Sequence, residues 1–153
     1  MHRQIKVVAI LLMVEGSLEA LMGILLCVMG PVIMTFMKSA PATTTPGAAP
    51  PPPELFGVIY VGMGVITLAA GVLKVIAGIR NVAFKGRVLG FVALGSCVMA
   101  MASCYCLPTA LALGIYGLIV YLDQRSAQAF QMGASGMSPE EILRQMDGIP
   151  QGF

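Results

Sequence analysis

Two acids and one lysine sit inside otherwise apolar stretches of this chain: Glu15 and Glu19 in the first stretch, Lys74 in the second. An ionisable side chain in such surroundings is costly and by default marks a functional site, here a proton or cation path. Glycines spaced by sevens decide how close these groups come. Gly16, Gly23 and Gly30 recur in the first stretch, and Gly57, Gly64, Gly71 and Gly78 in the second. Laid antiparallel as helices, the two rows pair Gly30 with Gly57, Gly23 with Gly64, Gly16 with Gly71, and Ala9 with Gly78. The register sets Lys74 level with Met13, about 3 Å along the axis from Glu15. With the glycines at heptad position a, Glu19 falls at d of one helix and Thr67 and Lys74 at d of the other. Two readings follow. Glu15, Glu19 and Lys74 carry protons or cations, or Glu15 and Lys74 clamp the hairpin as an ion pair while a neutral Glu19 hydrogen-bonds Thr67. Lys74 could also snorkel towards the end that carries Arg80.

Other chemistry is sparse. Cys27 and the Cys104-Tyr105-Cys106 turn fall at the same end of their helices, so a disulfide from Cys27 to Cys104 or Cys106 is open in an oxidising exterior. The alternative is that Cys27, Cys97, Cys104 and Cys106 are small apolar packing residues. The one histidine, His2, lies far from the Cys-x-Cys pair, which argues against zinc or any other bound metal. Twelve methionines are scattered without a repeated Met-x-x-Met cluster and read as packing or lipid-facing groups. There is no Ser/His/Asp set and no phosphate-binding glycine loop, so no cofactor is expected and the chain is not expected to be an enzyme.

The elements that must hold these groups are membrane helices. The 153 residues are 58% hydrophobic and 10% charged, with mean hydropathy +0.88. A soluble domain carries about 25% charged residues, so lipid must face much of this surface. A net charge of +2 without a basic, aromatic-laced stripe argues against nucleic acid. The expected fold class is all-α, a polytopic membrane protein built as a four-helix bundle, with spans at about 5–30, 55–79, 87–104 and 109–127. Pro31 should kink or end the first helix, and Pro108 should break the third apolar stretch into two. A re-entrant hairpin is the alternative for the last two, which are short for spans. Residues 38–53, rich in Pro, Ala and Thr, read as an external, polyproline-like loop.

Among the nine basic residues only Lys38 lies in that loop. The positive-inside rule therefore places both termini and residues 80–87 in the cytoplasm. The first apolar stretch is too long for a signal peptide's core and contains acids, so it reads as a retained helix. In the third and fourth helices, Gly86 and Gly90 form a G-x-x-x-G and Ala110 and Gly114 a second small pair, a pattern that lets helices approach closely. The tail 128–153 reads as cytoplasmic and weakly ordered, with a short helix at about 139–147 announced by Ser138-Pro139-Glu140-Glu141.

The stretch from Gly78 to Gly90, the stretch from Pro108 to Leu122, and Ala129-Phe130 resemble small bacterial four-helix integral membrane proteins of unknown function. That resemblance implies a four-span fold and brings no activity. The layout also resembles CD20-like tetraspan proteins in topology alone. Taken together, the expectation is a structural or accessory subunit in the lipid bilayer, joined to copies of itself or to a membrane protein partner through small-residue faces. The alternatives are a small proton or cation conductor and, through the external cysteines, a redox-sensitive membrane protein.

Overall fold

The structure is a computed structural model that describes residues 2–39, 52–100 and 107–147. Those residues are all-helical: α1 His2–Ser39, α2 Pro53–Val82, α3 Arg87–Ala100, α4 Leu107–Leu122, α5 Gln124–Ala134 and α6 Pro139–Asp147. α1 and α2 are long and apolar enough to cross a membrane. Their most apolar stretches are only 11% and 17% buried. A core helix of a water-soluble protein hides such a stretch, whereas the described residues leave most of these two uncovered.

Two compact units divide the chain. One, Leu18–Gly71, is an antiparallel hairpin of parts of α1 and α2. The other joins Met1–Ser17 to Val72–Phe153. Its core is made by Ile5, Val8 and Leu12 of α1, Phe84, Val120 and Tyr121, together with Phe130 and Ile142 from the last two helices.

Several boundaries differ from the sequence expectation. α1 does not end near Gly30 but runs through Pro31 to Ser39. Proline removes one backbone bond, and apolar contacts outlast that loss: Gly30 and Met34 both lie against Gly57 of α2. The Thr35 hydroxyl also donates to the Pro31 carbonyl at 2.6 Å. The expected fourth helix, 109–127, instead stops at Leu122. Asp123, with ψ 135°, leaves the helical path and accepts from the Ser126 amide as the N-cap of α5. As far as Asp147 the tail is part of the packed unit, because Ala129 and Phe130 of α5 and Ile142 and Met146 of α6 enter the core. Most of the Pro/Ala/Thr loop lies outside the described residues, as does the end expected for the third helix at 104. At the loop's margins Lys38 pairs with Glu54 at 3.3 Å.

The α2–α3 turn is held by an unusual residue. Lys85 N–H donates to Arg80 O at 2.9 Å and Phe84 N–H to Asn81 O at 3.0 Å, the bond pair of a Schellman cap. The same pair closes α5, from Met137 to Met132 and from Gly136 to Gly133. At the α5 end the left-handed position is Gly136, φ 92°. At the α2 end it is Phe84, φ 55°, where a side chain costs about 1–2 kcal/mol. Burial offsets the strain. Phe84 is fully buried, meets Phe130 edge-on at 6.4 Å, and its carbonyl lies against Gly133, where no β-carbon could fit. Gly86 sits in this turn at φ 84° rather than in a helix seam. Its reason for being glycine is therefore backbone conformation, not the G-x-x-x-G packing expected.

α6 begins with a capping box: the Ser138 amide donates to Glu141 Oε2 at 3.1 Å, and the Glu141 amide to Ser138 Oγ at 3.3 Å. The Ser138 amide and hydroxyl together hold the Glu141 carboxyl below its ordinary range. A depressed folded value stabilises the helix start fully above the ordinary carboxylate range, and the contribution disappears as pH falls through the lowered value. Acidification through the lowered value should thus reduce the protection of the amides at residues 141–143, measured against their intrinsic exchange rates at each pH, and Glu141→Gln should remove that pH dependence of the protection. Protection factors in α6 that ignore pH in the native protein would contradict this.

Candidate functional site

Three helices bring the candidate site together in the unit Met1–Ser17 with Val72–Phe153. Glu15 of α1 and Lys74 of α2 pair at 3.4 Å between Oε1 and Nζ. The other carboxylate oxygen, Oε2, accepts from the Cys97 thiol of α3 at 3.8 Å. The Cys97 Sγ also lies 3.5 Å from the Ala93 carbonyl one turn back. The Lys74 side chain is 0% exposed and that of Glu15 13%, so the pair is almost removed from water. Charges so placed attract strongly, yet each has lost its hydration, and such a pair holds its elements together without adding much net stability.

The approach that makes this possible is set beside it by Gly78, one turn beyond Lys74 on α2. A β-carbon on Gly78 would lie 2.5 Å from Met13 Cγ and 2.7 Å from the Ala9 carbonyl. Nothing but hydrogen fits, and the backbones meet. The same device recurs in the Leu18–Gly71 hairpin. There a β-carbon on Gly23 would fall 2.5 Å from Leu68 N, one on Gly64 2.7 Å from Cys27 N, and one on Gly30 3.1 Å from Gly57 O. Gly57 is looser, with Met34 at 3.5 Å. Gly16 and Gly71 are buried. Gly90 of α3 receives the Tyr121 ring of α4, at 2.6 Å from the same construction.

Glu19 and Thr67 are half-buried in the Leu18–Gly71 hairpin. Cys27 lies at the Gly64 crossing, its thiol 3.8 Å from the Val61 carbonyl. Cys104 and Cys106 lie outside the described residues, and with them the disulfide idea. A β-carbon on Gly114, expected to pack, would meet nothing within 4 Å among the described residues, and the same holds for Gly62 and Gly95.

Cys97 is the member that sequence reasoning missed. It belongs to a third helix whose register against the first two has no repeat to reveal it. A thiol in an apolar run looks like any other small residue. A second omission is a buried polar group around the α2–α3 turn: Asn81, Tyr121 and Ser126 are each 0% exposed. Arg87 joins it, donating from Nη2 to the Tyr121 carbonyl at 2.8 Å.

Among the described residues no group of three or more His, Cys, Asp or Glu side chains is arranged to hold a metal ion. No protein-family model, curated protein or solved structure matches the chain. The functional reading therefore rests on this chain's own sequence and structure. Chemically, the arrangement is a carboxylate bracketed by an ammonium and a thiol, able to lock three helices and able to hold a proton.

Proposed function

We propose that the chain is a small multi-pass membrane protein with four spans and cytoplasmic termini, working as a structural or accessory subunit. It associates with copies of itself or with another membrane protein through small-residue helix faces, in the layout of the small bacterial membrane proteins it resembles. The observation that carries this reading is the exposure of the apolar stretches of α1 and α2, 11% and 17% buried. Lipid must cover such surface, and a partner can. Gly95 and Gly114, where an added β-carbon would meet nothing within 4 Å among the described residues, offer places where another helix could approach to backbone contact. Native mass spectrometry after extraction in mild detergent tests it: an oligomer or a stoichiometric membrane partner is expected. A clean monomer released from membranes without a partner counts against it.

A second reading draws on the bracketed carboxylate. Glu15 with Lys74, and Glu19 nearby in the chain, would carry protons or cations, since buried ionisable groups line such routes. Flux into proteoliposomes distinguishes the two. A conductor loses flux in Glu19→Gln or Glu15→Gln while still folded, whereas a subunit shows no flux in either native or variant protein.

A further inference from the structure

Five polar side-chain atoms around the α2–α3 turn are buried and lack a hydrogen-bond partner among the described residues: Asn81 Nδ2 and Oδ1, Arg87 Nε, Tyr121 Oη and Ser126 Oγ. The residues that carry them are joined through one set of packed rings. The Asn81 carbonyl caps the Phe84 amide, Phe84 meets Phe130, and Phe130 stacks on Tyr121 at 5.4 Å. Arg87 binds the Tyr121 carbonyl and lies over Phe91, which leans on the Tyr121 ring at 5.6 Å. Ser126 stands one turn before Phe130 on the buried face of α5.

A buried polar group left without a partner costs about 1–3 kcal/mol, and one small unit does not sustain five. We infer that Asn81, Tyr121, Ser126 and Arg87 line an internal hydration site, where bound water bridges the α2–α3 turn to α4 and α5. The donor set favours water over an anion. Asn81, Tyr121 and Ser126 each both donate and accept, so a molecule with both capacities satisfies them, and a buried water makes about three such bonds. Asn81 is the member that decides it, because a fully buried amide needs both a donor and an acceptor from one side. The site is separate from the Glu15–Lys74 pair, since the Gly78 contact with Ala9 and Met13 lies between Lys74 and Asn81 along α2. It therefore holds whether or not the chain conducts anything.

Asn81 is the only asparagine in the sequence, so labelling with side-chain 15N asparagine yields one amide signal. The test is water-edited solid-state NMR of the full chain in lipid, with labelled glutamine as a reference, Gln131 and Gln145 being exposed. Transfer from water to Asn81 Nδ2 should build up as fast as to those glutamines, despite the 0% exposure. In Ser126→Ala, a change that leaves no new bulk, that transfer should be reduced while the thermal melt stays close to native. An Asn81 signal that receives no magnetisation from water overturns the proposal, because the amide is then satisfied by protein or dry. Fast transfer that Ser126→Ala leaves untouched overturns the shared site.

Discussion

Glu15→Leu is expected to lower the stability of the folded chain in mixed micelles by about 3–5 kcal/mol, the loss seen when one partner of a buried pair is removed. The reasoning is electrostatic. Lys74 has no exposure, so its ammonium keeps its desolvation cost after the carboxylate facing it is gone. The double variant Glu15→Leu with Lys74→Met removes both charges and fills the space with apolar atoms of similar size. It should recover most of the loss, since a buried pair replaced by hydrophobic residues is often neutral or better. Equilibrium titration with a denaturing detergent on the native, two single and double proteins gives the coupling energy directly. Additive losses would mean that the 3.4 Å approach of Nζ and Oε1 carries no specific energy, and the clamp reading would fall.

Gly23→Ala is the second large effect. In most helices this change is favourable by roughly 1 kcal/mol, because alanine is the better helix former. Here the new β-carbon would sit 2.5 Å from Leu68 N and 2.8 Å from both Leu68 Cα and the Gly64 carbonyl. All three are main-chain atoms of α2, so no side chain can rotate away and the helices must part. A net destabilisation of about 1–3 kcal/mol or more should result. Gly62→Ala is the internal control, as its β-carbon meets nothing within 4 Å, and it should be neutral or mildly stabilising. If the two variants melt alike, α1 and α2 do not touch at Gly23.

The features readable from sequence are those that repeat. Sevenfold glycine spacing is a periodic signal, and helical rise converts it into heights. Arithmetic alone thus places Glu15 near Lys74, Gly23 near Gly64 and Ala9 near Gly78. What repeats only once leaves no such trace. Cys97 reaches Glu15 because α3 happens to cross there, a fact of tertiary packing. Phe84 occupies a left-handed position that turn chemistry assigns to glycine, and the reason lies in α5, far along the chain. Pro31 reads as a helix end locally, yet contacts with α2 carry the helix past it. Asp123 interrupts what looks like one continuous helix because it caps the next. In every miss but the last a non-local contact decided the outcome, and at Asp123 a local cap did.

If α1 crosses a membrane, as proposed, its length bears on the bilayer. Its apolar stretch from Ile5 to Met37 would rise about 50 Å at 1.5 Å per residue, while a hydrocarbon slab is about 30 Å thick. Ordinary tilt of about 20° absorbs only a small part of that surplus. Hydrophobic mismatch would then favour thickening of the surrounding bilayer or residence where it is already thick. In a cell with membranes of unequal thickness, that surplus would act as a sorting signal, written in helix length rather than in any motif.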